Sequence, residues 1–194
     1  MHTLRTVRVS FASLLFSLMC LVAAPLAAAD THVRAMSPAL QQILDEGVLR
    51  SQEFRALVAK LEVSDVIVYV QLVPFEDKLL DGRLLFIGSG TTHRYLMVSV
   101  AADRTRGAHL SIVAHELRHA LEIASERSVV DAVSMGRYYD RIGQKMHSPP
   151  QVRRYDTHAA VDTGRRVLGE VLANATAAER AEWAEWVTAA SVRH

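Results

Sequence analysis

The sequence predicts an α+β fold, in which a small three-stranded sheet packs on one long helix and the C-terminal half is helical. Between residues 65 and 100, short runs rich in β-branched residues alternate with turn residues. On both sides of this stretch, apolar residues recur at helical spacing. The 194 residues are enough for one domain with a sizeable core.

The N-terminal segment is typical of a secretory signal peptide. Arg5 and Arg8 provide a positive start, residues 9–24 are mostly apolar, and small residues follow up to Ala29. The apolar run is short for a segment that must cross about 30 Å of hydrocarbon, which disfavours a membrane anchor. We therefore predict a signal peptide over residues 1–29, a secreted or periplasmic location, and a single domain over residues 30–194.

Two helices are predicted ahead of the sheet. Ser37 followed by Pro38 is typical of a helix start, because serine caps free N–H groups and proline fits the first turn. Gly47 is predicted to end this helix, and Ser51 is predicted to cap the next one.

The strands are predicted from their content of β-branched residues, and the helices after them from the spacing of apolar residues. The three strands are expected at residues 65–73, 84–87 and 95–100, with the last two forming a hairpin. Four helices are expected next: residues 109–125, residues 129–142, a helix that Asp156 opens, and a helix that the Thr176–Glu179 capping box starts.

Charge and cysteine usage exclude several classes of function. Cleavage after Ala29 removes Arg5 and Arg8 from the 22 basic residues and leaves 20 basic against 21 acidic residues. This balance disfavours nucleic acids and anionic membranes as partners. Cys20, the single cysteine, lies in the predicted signal peptide, so disulfide and thiol chemistry are not expected in the mature chain.

The central helix carries two histidines at metal-binding spacing. His115 and His119 lie one turn apart, about 40° round the helix axis, so both imidazoles can reach one ion. Zinc accepts imidazole nitrogen and keeps a position open for water in catalytic sites. Glu116 lies about 100° round from His115, where it can accept a proton from that water without binding the metal. The pattern predicts a zinc-dependent hydrolase.

This His-Glu-x-x-His helix resembles that of the zincin metallopeptidases, with His115, Glu116 and His119 at the matching positions. The resemblance implies a minimal zincin-like domain, bound Zn²⁺, a peptide or protein substrate, and catalysis by Glu116 as general base. In zincins an edge strand beside this helix binds extended substrate, and residues 95–100 form the strand that precedes it. Arg118 departs from the family pattern and is expected to pair with Glu122.

A third ligand is needed, because two histidines alone make a weak zinc site. In the gluzincins, which the chain resembles, a carboxylate on a later helix completes the site, and Asp156 is the best counterpart here. It lies 37 residues after the second histidine and is an aspartate where that family has glutamate. The alternative reading of Asp156 is a helix cap.

Other residues remain open as the third ligand: His158, Glu122, Glu126 and Asp131. Glu122 lies too far along the helix axis to share one ion easily, so it is expected to orient His119 or to pair with Arg118.

Two further expectations concern the rest of the site. Candidate donors to a developing oxyanion are Tyr138, Tyr139, Tyr155 and His158. His93, His109 and His147 are expected to be incidental surface histidines. Two alternative functions remain: a non-catalytic zinc-binding structural or interaction domain, and a metal-free helical binding module.

Overall fold

The computed structural model describes residues 31–146 and 154–191, with side chains up to residue 185. The predicted signal peptide and His147 lie outside these ranges. The described residues form a mixed α+β arrangement of six helices, a four-stranded sheet and a small two-stranded sheet, so the predicted fold class is confirmed.

The main sheet contains one strand more than predicted. Its strands are β1 (Val33–Ala35), β2 (Val66–Val73), β3 (Gly82–Ser89) and β4 (Arg94–Ala101). The order across the sheet is β1-β2-β4-β3. The β1–β2 and β2–β4 pairs are parallel, and β3 and β4 form the predicted antiparallel hairpin. β1 has only three residues, too few for an alternating pattern, and its formation depends on pairing with β2.

Two helices lie between β1 and β2: α1 (Pro38–Arg50) and α2 (Gln52–Glu62). Both predicted caps are confirmed, since Ser37 Oγ accepts from the Leu40 N–H and Ser51 Oγ accepts from the Phe54 N–H. Gly47 does not end α1. It is buried inside the helix, where a Cβ would lie 2.9 Å from Leu110 Cδ2, so glycine serves close packing.

The central helix is α3 (Arg106–Ser125), which begins three residues earlier than predicted because Thr105 caps it. The Thr105 hydroxyl accepts from the Ala108 N–H at 3.3 Å. Leu110, Val113 and Leu117 are fully buried and form part of the core between the helices and one face of the sheet. This burial fixes which face of α3 remains available for chemistry.

The C-terminal part contains α4 (Ala132–Ile142), β5 (Gln144–Lys145), β6 (Tyr155–Asp156), α5 (His158–Ala173) and α6 (Ala177–Ser191). β5 and β6 pair as antiparallel strands. The prediction that Asp156 opens a helix is wrong, because Asp156 ends β6 and Thr157 caps α5.

Two other helix starts can be compared with their predictions. α4 begins after Asp131 rather than at residue 129, because the Asp131–Ser134 capping box sets its first turn. The Thr176–Glu179 capping box of α6 is confirmed by hydrogen bonds in both directions. Within the described part of the chain, no helix is both long and apolar enough to cross a lipid bilayer.

Candidate metal centre

Three side chains converge beside the middle of α3. His115, His119 and Asp156 each offer a ligand atom, and these atoms lie within 4.8 Å of one another. Asp156 Oδ1 is 3.3 Å from His115 Nε2 and 3.7 Å from His119 Nε2. Two imidazoles and one carboxylate are a donor set that suits zinc and related divalent ions. The group could therefore hold a metal ion, and it contains the predicted third ligand Asp156.

The secondary structure explains this convergence. His115 and His119 lie one turn apart on the same face of α3, with their ring centroids 4.9 Å apart. Asp156 comes from the end of β6, and one residue, the cap Thr157, separates it from the first residue of α5. The N–H of Thr157 donates to Asp156 Oδ1 at 2.7 Å, which helps to orient the carboxylate.

A glycine permits the close contact between α5 and α3. A Cβ on Gly164 would lie 3.1 Å from the Ser111 carbonyl oxygen and 3.4 Å from His115 Cβ. The Ser111 hydroxyl also donates to the Gly164 carbonyl at 3.0 Å. The β6–α5 junction, and with it Asp156, is held near the two histidines because α5 packs this closely.

Glu116 lies beside the ligand group on α3 and is only 6 % exposed. Its carboxylate abuts the start of β3, where a Cβ on Gly82 would lie 2.5 Å from Oε1. Burial raises the pKa of Glu116 to about 7, with opposing smaller effects from the charges of His119 and Asp156. A buried carboxylate of this kind is suited to proton transfer near neutral pH.

Glu122 makes both of the contacts expected from the sequence. Its Oε2 accepts from His119 Nδ1 at 2.9 Å, and Arg118 Nε lies 3.7 Å from Oε1. Oε1 also accepts from the Thr157 hydroxyl at 2.8 Å. With Nδ1 bound to Glu122, the Nε2 atom of His119 is the one that faces Asp156. Glu122 thus lies behind the ligand group and orients one of its members.

Burial, hydrogen bonds and neighbouring charges shift the pKa values of the three side chains in different directions. Burial lowers the pKa of His119, but its hydrogen bonds to Asp156 and Glu122 raise it more, to about 9. Burial and the neighbouring charge of His119 lower the pKa of His115 to about 4. Burial would raise the pKa of Asp156, but the histidines lower it below its usual value. The carboxylates of Asp156 and Glu122 thus favour a positive charge on His119.

The other candidate ligands lie outside this group. His158 is exposed, and its Nε2 lies 2.8 Å from the Gln144 side chain. Asp131 caps α4, and Glu126 accepts from the Ser128 hydroxyl at 2.7 Å. None of these three alternatives belongs to the group of side chains that could hold a metal ion.

The candidate oxyanion donors have other contacts. The Tyr155 hydroxyl donates to Asp140 at 2.6 Å. The Tyr139 hydroxyl donates to the His119 carbonyl at 3.2 Å, and its ring packs edge-on against the His119 imidazole. Tyr139 thus supports the helix that carries the ligands, and burial raises its pKa.

Sequence reasoning misjudged one histidine and missed two residues of the site. His109 is buried, with Nε2 3.0 Å from the Ala101 carbonyl oxygen, so its prediction as a surface residue is wrong. Gly82 lies outside the strand predicted at residues 84–87, and its contact with Glu116 is a tertiary feature. Thr157 carries a detectable signal, since threonine before an apolar helix is a common cap, but its contact with Glu122 is a tertiary feature.

The chain matches none of the protein-family models, curated proteins or solved structures with which it was compared. These comparisons therefore assign it to no family, and the zincin resemblance of the helix motif stays a prediction.

Proposed function

We propose that the protein is a secreted or periplasmic zinc-dependent hydrolase, and specifically a metallopeptidase. His115, His119 and Asp156 hold the zinc ion, and Glu116 is the general base. The observation that carries this proposal is the convergence of the three ligand atoms within 4.8 Å, with the buried Glu116 carboxylate beside them. The two histidines come from one helix and the aspartate from a strand that is distant in sequence. Packing between distant segments of the chain therefore brings the three side chains together.

When bound, zinc supplies a Lewis acid that lowers the pKa of water towards about 7 and polarises a carbonyl group. The side chain of Glu116 accepts the proton of the attacking water at a carboxylate oxygen and can return it to the leaving amine. Glu122 keeps Nδ1 of His119 engaged, so that Nε2 is available as a ligand. Both glutamates lie on α3, the helix that also carries the two histidines.

The sheet offers a place for an extended peptide. The strand predicted at residues 95–100, which the resemblance implied to be the edge strand beside the helix, is interior, because β4 (Arg94–Ala101) lies between β2 and β3. Within the part of the chain that the structure describes, β1 and β3 are the two edge strands, and the first residue of β3, Gly82, contacts Glu116. Among the described residues no strand pairs with the outer edge of β3, and a peptide that adds there would pass near Gly82 and the proposed general base, which supports a peptide or protein as substrate.

The test compares two glutamine variants of the purified protein, Glu116→Gln and Glu126→Gln, for zinc content and for cleavage of casein and of a mixed peptide library. Glu126 lies after α3 and is bonded to Ser128, so its variant is the control. We expect Glu116→Gln to keep its zinc and to lose cleavage by about 10²- to 10⁴-fold, since the base is removed. Full cleavage by zinc-loaded Glu116→Gln would contradict the mechanism.

A non-catalytic zinc domain is the second candidate, because the ligands come from two segments, α3 and β6, which a metal would join. In that case the wild-type protein binds zinc tightly, melts at a lower temperature with chelator, and cleaves none of the tested peptides.

A further inference from the structure

Thr157 occupies the junction between the two halves of the metal centre. It follows Asp156 directly, caps α5, and is 7 % exposed. Its side chain faces Glu122 on α3, which in turn contacts His119. One small hydroxyl therefore lies between a ligand that comes from β6 and a ligand that comes from α3.

The hydrogen-bond directions around this hydroxyl are fixed by its partners. The Ala160 N–H donates to Thr157 Oγ1 at 3.1 Å, so the oxygen acts there as an acceptor. The single hydroxyl proton is therefore directed to Glu122 Oε1, at 2.8 Å. The other carboxylate oxygen, Oε2, faces His119 Nδ1 at 2.9 Å. Both oxygens of Glu122 are thus held, one from each side.

The position of Glu122 lets one carboxylate accept from both groups. Glu122 is 8 % exposed, and one of its oxygens faces the imidazole while the other faces the hydroxyl. The hydroxyl of Thr157 can fix the rotation of this carboxylate because it is itself anchored to the first turn of α5.

We infer that Thr157 is a positioning residue of the metal centre. Its hydroxyl holds the Glu122 carboxylate, and this carboxylate orients His119 relative to Asp156. The inference rests on the proposed metal centre and names a residue that the helix motif does not contain. The N–H of the same residue donates to the Asp156 carboxylate, so Thr157 contacts one ligand directly and the support of another. Hydrogen-bond partners behind metal ligands typically change metal affinity by about 10- to 100-fold.

The experiment measures Zn²⁺ affinity by competition with a chromophoric chelator, and the visible spectrum of the Co²⁺-substituted protein, for Thr157→Val, Thr157→Ser and Thr176→Val. Thr176→Val is the matched control, because Thr176 caps α6 with a hydrogen bond to the Glu179 N–H and does not contact the site. All measurements are made well below the melting temperature of each variant, so that a loss of helix capping alone does not alter the result.

We expect Thr157→Val to bind Zn²⁺ on the order of 10- to 100-fold more weakly and to give an altered Co²⁺ spectrum. Thr157→Ser retains the hydroxyl and should resemble the wild type, as should Thr176→Val. If Thr157→Val binds Zn²⁺ as tightly as Thr176→Val and gives the wild-type spectrum, the inference is overturned.

A second comparison tests whether the hydroxyl acts through Glu122. Glu122→Gln should weaken Zn²⁺ binding by itself, and adding Thr157→Val to it should cause little further loss, because the two changes interrupt one chain of bonds. Fully additive losses would overturn the inference. A wild-type protein that binds zinc and shows these effects without cleaving peptides would contradict the proposed hydrolase alone. A wild-type protein that binds neither ion would overturn the inference together with the metal centre.

Discussion

Gly82 lies so close to Glu116 that a Cβ at position 82 would be 2.5 Å from the carboxylate oxygen Oε1. Real Cβ atoms do not approach other atoms so closely, and the contact places the first residue of the edge strand β3 against the proposed general base. The same Cβ would meet Ile112 Cγ2 at 2.8 Å, so it could not be accommodated by a shift of Glu116 alone. The absence of a side chain at Gly82 therefore helps to set the position of the Glu116 carboxylate.

Gly82→Ala should reduce peptide cleavage while leaving zinc bound, because it displaces the base but none of the three ligands. A displacement of about 1 Å can lower the rate by about 10²-fold. Gly88→Ala is the control in the same strand, since a Cβ there has no neighbour within 4 Å among the described residues. Initial rates and zinc content of the two variants provide the measurement. Equal rates for Gly82→Ala and the wild type would show that the contact does not position the base.

Local sequence signals predicted the parts of the site that lie on one element. The spacing of His115, Glu116 and His119 is a property of α3 alone, so helical period was sufficient to group them. Asp156 was chosen by resemblance, and the structure does bring it to the histidines, although it ends a strand and not the first turn of a helix.

The contacts of Gly82 and Thr157 could not be predicted in the same way. Both depend on how β3 and the β6–α5 junction pack on α3, and a single sequence contains no pairing signal for such distant segments. Short strands were missed for a related reason. β1 has three residues and β6 has two, and each depends on a partner strand that lies elsewhere in the chain.

Removal of the third ligand should abolish stabilisation by zinc. With free zinc at about 100 times its dissociation constant, binding adds about 3 kcal/mol of stability, which raises the melting temperature by roughly 5–10 °C over chelator-treated protein. Asp156→Ala should lose most of this difference. His158→Ala should keep it, because His158 is exposed and contacts Gln144 instead. Melting curves with zinc and with chelator test this, and a retained shift in Asp156→Ala would exclude Asp156 as a ligand.

Alanine substitutions at two glycines of α5 should change the stability of the protein in opposite directions, because only one of the two glycines packs against α3. Gly164→Ala would place a Cβ 3.1 Å from a backbone oxygen of α3, which cannot move aside easily, so we expect the protein to lose about 1 kcal/mol of stability. Gly169→Ala meets no described atom within 4 Å and should gain up to about 1 kcal/mol from helix propensity. Urea denaturation measures the free energy of unfolding of both variants. Stabilisation by Gly164→Ala would mean that the two helices can separate without cost.

Arg94 supports the C-terminal end of the helix that carries the metal ligands. Its guanidinium is buried, and the two N–H groups of Nη1 are directed at three carbonyl oxygens that lie 2.8–2.9 Å away, those of Ile123, Glu126 and Val129. Nε and Nη2 donate to the Asp65 carboxylate at 3.0 and 2.7 Å. The bond to Arg94 lowers the pKa of Asp65, which links the stability of this end of α3 to pH.

Asp65→Asn should therefore destabilise the protein at neutral pH and have a smaller effect in acid. A carboxylate whose pKa is depressed by folding stabilises the protein above its unfolded pKa of about 3.9, and this contribution is lost as pH falls through the lower folded pKa. Because Asp65 is 44 % exposed, we expect a loss of no more than about 1 kcal/mol at pH 7 after solvent screening. Asp45→Asn on the exposed side of α1 is the control, since its contact is with an uncharged Gln41 amide. Urea denaturation from pH 7 down to about pH 3 tests the expectation. A gap between wild type and Asp65→Asn that stays constant over this range would show that the carboxylate charge does not stabilise the buried guanidinium.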